Sequence, residues 1–147
     1  MVELMGVWFS SIGAQRATGQ IFGYLTSCDP AEQSAGEIAA GIGMSRASVS
    51  SGARMLIQMQ AIEERHRVGD RRTYYRLRTD WWIQAATTKM AGFERMADEA
   101  RRIRAAGSVT RTDGLDELIE FSQFWNEEIP KLRDRWYQQR RIEKEEA

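Results

Sequence analysis

Residues 34–78 have the sequence SAGEIAAGIGMSRASVSSGARMLIQMQAIEERHRVGDRRTYYRLR, and this stretch decides the fold. Its first residues, Ser34 and Glu37, have the spacing of a capping box, in which the serine hydroxyl accepts a backbone N–H and the glutamate reaches back. This spacing predicts a short helix, which Gly41 and Gly43 close in a tight turn. A capped helix followed by a tight turn is the first half of a helix-turn-helix.

A second helix is predicted from Ser45, its N-cap candidate, to about Gln58 or Met59. Its inner face repeats at helical spacing and consists of Val49, Ala53, Leu56 and Ile57. The opposite face carries small or hydrogen-bonding side chains and one arginine: Ala47, Ser50, Ser51, Arg54 and Gln58. Side chains of this kind fit a DNA major groove about 12 Å wide, so this helix is the candidate recognition helix.

After this helix the apolar residues no longer follow helical spacing, and residues 64–78 predict a β-hairpin, called the wing below. Two extended stretches flank a turn at Gly69 and Asp70, and the second of them alternates. The wing carries Arg71 and Arg72 at or just past its tip. A helix-turn-helix followed directly by a wing is the winged-helix arrangement typical of DNA-binding proteins.

Helices are also predicted on both sides of this stretch, so the fold class is mainly α with a small β wing. Apolar residues at helical spacing predict two helices within residues 1–27. A long helix from Thr79 or Asp80 to about Ala106 has an apolar stripe of Trp82, Ala86, Met90, Phe93, Ala97 and Ala100. A last helix begins at Asp113, and Pro130 is expected to kink or split it. Its stripe consists of Leu118, Phe121, Trp125, Ile129, Leu132 and Trp136.

The composition of the chain argues against several classes of function. The chain of 147 residues is the size of one domain and has a single cysteine, Cys28, and a single histidine, His66. These leave little material for a metal site or for His-based catalysis, so we expect no enzyme activity and no cofactor or metal. No window approaches the ~18 apolar residues of a membrane span, and no signal peptide is evident, which favours a cytoplasmic protein.

The net charge is zero, but basic residues cluster in the winged-helix stretch. Residues 45–78 contain eight arginines and three acidic residues, a local balance of +5 that is typical of a nucleic-acid-binding surface. We therefore predict double-stranded DNA as the partner. The predicted DNA-contacting residues lie on the second helix and the wing: Ser45, Arg46, Ser48, Ser50, Ser51, Arg54, Asp70, Arg71 and Arg72.

Several motifs match a known family: Phe22-Gly-Tyr-Leu25 with Cys28-Asp-Pro30, Glu37-Ile-Ala39, Ala53-Arg-Met-Leu-Ile-Gln58 and Gly69-Asp-Arg-Arg-Thr-Tyr-Tyr-Arg-Leu-Arg78. The chain resembles MarR-like winged-helix transcriptional regulators, including the GbsR-type branch and the actinobacterial repressors of lipid-exporting efflux pumps. In that family an Asp-x-Arg element in the wing lets the acid orient the arginine for DNA. The resemblance therefore implies that Asp70 orients Arg72.

The resemblance also implies a homodimer built from the first, penultimate and last helices. The two long C-terminal helices independently favour this, since their apolar faces need a partner. We expect dimerisation and support helices at residues 1–27, a winged helix-turn-helix at residues 28–79 and C-terminal dimerisation helices at residues 80–147. Two-fold symmetry would place the recognition helices ~34 Å apart on a roughly palindromic operator. The expected function is that of a ligand-responsive repressor.

An apolar or lipid-like effector is implied by the resemblance, with pocket candidates Trp8, Phe9, Trp81, Trp82, Phe93 and Trp125. The same side chains could be plain core and dimer contacts, as aromatic residues at helical spacing often are. Two alternatives stay open: a winged-helix module for protein–protein contact, and a redox-sensing regulator that uses Cys28. Cys28 follows a helix rather than preceding one, which favours a structural thiol.

Overall fold

Helices dominate the part of the chain that the structure describes. The computed structural model describes residues 1–145, except for the side chains of residues 88–92 and 141–145. The elements in chain order are α1 (Val2–Ser11), α2 (Arg16–Leu25), β1 (Gln33–Ser34), α3 (Ala35–Ile42), α4 (Arg46–Gln58), β2 (Ile62–His66), β3 (Thr73–Leu77), α5 (Trp81–Ala105) and α6 (Asp113–Glu145). None of the described helices is long and apolar enough to cross a bilayer. This architecture confirms the predicted fold class.

The strands form one antiparallel sheet in the order β1-β3-β2. In the centre, β3 pairs Tyr75 with Gln33 of β1 and Leu77 with Ile62 of β2. The hairpin of β2 and β3 is the wing, as predicted, although β2 begins and ends two residues earlier than the predicted stretch 64–68. The sequence does not predict β1, because a two-residue strand is too short to show alternation.

Local capping shapes the helix-turn-helix as predicted. The Ser34 hydroxyl accepts the Glu37 N–H at 3.4 Å, and Glu37 Oε2 accepts the Ser34 N–H at 2.6 Å, which completes a capping box. Gly43 closes α3 with a φ of 68°, a left-handed conformation that glycine adopts without steric cost, whereas Gly41, which was predicted to share this turn, lies within the helix. Ser45 Oγ then accepts the Ser48 N–H at 3.1 Å and caps α4.

The chain divides into two compact units, of which the first is Met1–Trp81. Its largest fully buried apolar side chains come from the helices and the wing: Phe9, Ile21, Phe22, Ile38, Val49, Leu56 and Tyr74. The predicted inner face of α4 is therefore buried, apart from Ile57, which is half-buried. Gly19 lets α2 approach α1 closely, because a Cβ at that position would lie 2.3 Å from the Met5 carbonyl oxygen.

In the second unit, Trp82–Ala147, the stripe predicted on α5 is half correct. Its last two members are buried as predicted: Ala97 and Ala100. Its first two members are exposed, since Trp82 and Ala86 turn outward while the preceding residue, Trp81, is the buried tryptophan. The predicted member Met90 lies outside the described side chains.

The last helix, α6, runs as one helix from Asp113 to Glu145, so Pro130 does not split it, and the kink that was the other expected outcome stays a prediction. A proline removes one backbone donor, and a 33-residue helix keeps its hydrogen bonds on both sides of that point. The predicted stripe on α6 is exposed at Phe121, Leu132 and Trp136. Among the described side chains of α6, Ile119 and Ser122 are buried, and the stripe members Leu118, Trp125 and Ile129 are half-buried. Ile119 and Ser122 each follow a stripe residue by one position, and spacing alone does not tell which of two neighbouring faces is covered.

Candidate nucleic-acid interface

Helix α4 presents the predicted polar face at the surface of the first unit. Arg54 and Ser51 are exposed, and Ser50 is half-buried. The buried side of the helix holds it against the core through Val49 and Leu56. Since the exposed face is made mostly of short side chains, it leaves room for base edges within reach of an arginine.

The N-terminus of α4 is already hydrogen-bonded within the chain. Besides the capping bond, Ser45 Oγ and Ser48 Oγ lie 2.8 Å apart. Arg46 extends toward the start of α3, where a Cβ on Gly36 would lie 3.3 Å from Arg46 Nη2. The two serines therefore act first as capping residues. The helix N-terminus that they order carries a partial positive charge, which favours an anion such as phosphate.

Asp70 and Arg72 are hydrogen-bonded to each other at the tip of the wing. The Arg72 backbone N–H donates to Asp70 Oδ1 at 2.9 Å, and Arg72 Nε and Nη2 donate to Oδ2 at 3.0 and 2.8 Å. The Tyr74 hydroxyl also donates to Oδ2, at 2.8 Å. These hydrogen bonds, led by that from the Arg72 guanidinium, hold the pKa of Asp70 well below its usual range. Asp70 is therefore charged at neutral pH and fixes Arg72, whose side chain is still 59% exposed.

Two of the other arginines of the wing lie near its tip, Arg71, which is a predicted DNA contact, and Arg67, which is not. Arg71 is exposed beside Arg72, as its place at the tip implies. Arg67 is not among the predicted DNA contacts, and the sequence does not predict its position: its guanidinium lies 3.9 Å from the centre of the Tyr74 ring, and its Nη2 donates to Glu32 at 3.3 Å. The attraction of a cation for an aromatic face favours this stacking. An arginine and a tyrosine on the two arms of one hairpin are the signal that would have indicated it.

The aromatic pocket candidates of the first unit lie in packed surroundings. Phe9 and Trp81 are buried, and the Trp81 ring centre lies 4.6 Å from that of Phe22. Trp81 Nε1 donates to the Met59 carbonyl oxygen at 3.3 Å. Trp8 meets Phe9 edge to face, with ring centres 5.3 Å apart. Phe9 and Trp81 therefore belong to an aromatic core, and Trp8, which is 37% exposed, lies at its edge.

The second unit contains the remaining pocket candidates and a cavity. The rings of Phe93, Phe121 and Trp125 follow one another with centres 5.5 and 5.8 Å apart, and Trp82 is exposed. A cavity of about 510 Å³ is lined by Arg101, Arg104, Ala105, Ile119 and Gln123. None of the six pocket candidates lines this cavity, so their role in ligand binding stays a prediction.

Cys28 lies after α2 and is half-buried, with its Sγ 3.8 Å from the Leu25 carbonyl oxygen. Burial raises the pKa of the Cys28 thiol, so little reactive thiolate forms at neutral pH. These surroundings favour a structural thiol over a redox sensor. Among the described residues, no group of three His, Cys, Asp or Glu side chains could hold a metal ion.

A helix-turn-helix with an exposed polar second helix, followed by a wing with an anchored arginine, defines a winged-helix DNA-binding protein. Comparison with known proteins identifies the family. A family profile described as MmpR5-like MarR family transcriptional regulator matches residues 80–140. The HTH-type transcriptional regulator MmpR5 of Mycobacterium tuberculosis is 33% identical over 140 residues, which are 93% of this chain and 85% of that protein.

A solved structure gives the same result. The crystal structure of a transcriptional regulator, 33% identical, matches with a TM-score of 0.76 over 93% of this chain and 95% of its own. The chain belongs to the MarR family of transcriptional regulators, as the motifs predict, and it is a DNA-binding transcriptional regulator. Regulators of this family act as dimers, repression is typical of them, and they are not enzymes. Membership of the GbsR-type branch stays a prediction.

Proposed function

We propose that this chain is a ligand-responsive repressor that binds, as a homodimer, a roughly palindromic operator on cytoplasmic DNA. The observation that carries the proposal is the wing tip, where the Arg72 guanidinium is held by a charged Asp70 carboxylate yet stays largely exposed. An arginine fixed in this way suits a phosphate, or the negative minor groove next to the recognition helix. Arg71 supplies a second cation at the same tip.

Helix α4 is the proposed recognition helix. Arg54 is placed to reach the acceptors of a guanine, and Ser50 and Ser51 to donate to base edges or phosphates. The helix N-terminus contributes phosphate contacts through Ser45, Arg46 and Ser48. In this assignment, α4 makes the sequence-specific contacts to base edges, and the wing makes contacts to phosphates that do not depend on sequence.

Exposed apolar side chains along α6 support pairing of two chains: Phe121, Phe124, Leu132 and Trp136. Surfaces of this kind on a regulator are usually covered by a partner. In the proposed organisation, residues 1–27 and 80–147 pair the chains and residues 28–79 bind DNA. The two recognition helices then meet one face of the duplex ~34 Å apart.

Release from DNA is proposed to follow binding of an apolar or lipid-like ligand. Such a ligand acts by preferring a spacing of the two recognition helices that does not match the operator. About 3 kcal/mol of differential affinity changes DNA binding by roughly 150-fold. Phe93 and Trp125, which belong to the aromatic cluster of α5 and α6, are the proposed lining of its site.

The proposal is tested by fluorescence anisotropy with a labelled duplex from the region upstream of the protein's own gene. We expect two chains per duplex, tighter binding than to a scrambled duplex of the same composition, and weaker binding after a long-chain fatty acid is added below its micellar concentration. Equal binding to the scrambled duplex would contradict sequence-specific recognition. Binding unchanged by a panel of fatty acids and long-chain alcohols would contradict the ligand response.

A further inference from the structure

Two arginines of the wing face two carboxylates that flank the start of α3. Arg67 donates to Glu32 at 3.3 Å while its guanidinium covers the Tyr74 ring at 3.9 Å. Arg72 Nη1 lies 3.8 Å from Glu37 Oε1, in addition to its hydrogen bonds with Asp70. The carboxylates belong to the helix-turn-helix side of the first unit, so these ion pairs join the wing to the element that precedes the recognition helix.

Glu37 also belongs to the capping box of α3, and the hydrogen bonds of that capping box hold its carboxylate in place. Its Oε2 accepts the Ser34 backbone N–H at 2.6 Å and the Ser34 hydroxyl at 2.7 Å, which leaves Oε1 directed to Arg72. The Ser34 hydrogen bonds, helped by the nearby Arg72 and Arg67, keep the pKa of Glu37 below its usual range. The carboxylate is therefore charged at neutral pH and competes for the same guanidinium that a DNA phosphate would bind.

We propose that Glu32 and Glu37 restrain the affinity of the wing for DNA by occupying Arg67 and Arg72 in the DNA-free protein. Each arginine then binds a phosphate only by leaving or sharing its carboxylate. This makes Arg67 a third DNA-contacting arginine of the wing, beside Arg71 and Arg72. The inference rests on the proposed role of the wing in DNA binding and adds the residues that set its strength.

The restraint acts on the part of the affinity that does not depend on sequence. Phosphates are the same in every duplex, and contacts to them position the protein without reading bases. The carboxylates therefore lower the affinity for operator and for unrelated DNA by the same factor. A regulator restrained in this way is held less strongly by the large excess of non-operator DNA.

The test uses the full-length variants E32Q and E37Q, which remove one charge each with little change in shape. Glutamine also suits the third position of a capping box, so E37Q keeps the cap of α3. We expect each variant to bind both operator and unrelated duplex about nine-fold more tightly, which is about three-fold for each of the two exposed ion pairs in the dimer, with their ratio unchanged. Unchanged melting temperatures show that the fold is retained.

Glu63 provides a matched control on the same sheet. It pairs with Arg65 at 2.5 Å and with Arg76 at 3.8 Å, and not with the two restrained arginines. We expect E63Q to change DNA affinity by less than about 1.5-fold, because its partners Arg65 and Arg76 are not among the proposed phosphate contacts and its remaining effect on DNA is screened at working salt. An increase in E63Q equal to that in E32Q would overturn the proposal, since the cause would then be net charge.

Double variants test whether the carboxylates act through their partners. The gain from E32Q should vanish in an R67A background, and the gain from E37Q should vanish in an R72A background. A gain that persists in both backgrounds overturns the restraint, because it shows direct repulsion of phosphate. If R72A alone leaves binding unchanged, the proposed role of the wing fails. If R72A weakens binding while E32Q and E37Q have no effect, only the restraint fails.

Discussion

Replacing Arg72 with alanine removes the guanidinium that Asp70 holds at the tip of the wing. The backbone N–H of residue 72 still donates to Asp70 Oδ1 in the variant, because that bond, 2.9 Å in the structure, does not involve the side chain. The Tyr74 hydroxyl also keeps its contact with Asp70. The turn of the wing is therefore expected to persist, and the loss to fall on DNA binding alone.

The size of the loss in DNA affinity follows from the number of phosphate contacts that the variant lacks. One phosphate contact changes the slope of log affinity against log salt by about 0.9, so two Arg72 side chains in a dimer contribute about 1.8. Between about 50 and 200 mM salt, a slope difference of that size amounts to roughly ten-fold in affinity. The penalty of Arg72→Ala should therefore be about ten times larger at the lower salt concentration.

Anisotropy titrations at several salt concentrations measure this slope for operator and for unrelated duplexes. Arg111→Ala is the matched control, because Arg111 is exposed and pairs with Asp113 at 2.9 Å in the segment between α5 and α6. We expect a lower slope on both duplexes for Arg72→Ala and an unchanged slope for the control. A slope that stays at the wild-type value in Arg72→Ala would refute the assignment of the wing to phosphate contact.

The remaining predictions concern recognition, packing and pH. Ser50→Ala and Arg54→Ala should alter the operator preferred in a selection from random duplexes, and recovery of the wild-type preference by both would contradict direct readout by α4. Gly19→Val should lower the free energy of unfolding by about 2–3 kcal/mol in urea titrations, because its Cβ would meet the Met5 carbonyl oxygen; wild-type stability would contradict the close approach of α1 and α2. Hydrogen bonds from Arg72 lower the pKa of Asp70. Their contribution to stability is therefore complete above the ordinary pKa of an aspartate, and it is lost only when the pH falls through the lowered pKa of Asp70. An NMR titration should therefore show Asp70 still ionised at about pH 4, and a midpoint in that range would contradict the contact.

Features that depend on neighbouring residues could be predicted from the sequence. The capping box of Ser34 and Glu37 needs partners only three positions apart, and the backbone keeps such partners close in space. The helix-turn-helix and the wing follow from patterns of this kind. The contact between Asp70 and Arg72, which are two positions apart, is implied by the resemblance to the family.

Features that depend on distant residues could not be predicted in this way. Arg67 binds Glu32, 35 positions away, and no periodicity connects the two. The same limit applies to the C-terminal helices, where spacing shows that a face is apolar but not which flank is buried. Leu118 and Phe121 belong to the predicted stripe, yet the buried residues Ile119 and Ser122 each lie one position further along, on the neighbouring face of α6.

Hydroxyl-radical footprinting of the protein on its operator tests most directly whether two winged helices bind one duplex together. The account predicts two protected segments on one face of the DNA, with centres about 10 base pairs apart, or ~34 Å, and each bordered by wing protection. Arg72→Ala should remove the bordering protection and leave the two segments in place. A single protected segment, or protection that does not depend on the sequence of the duplex, would contradict the account.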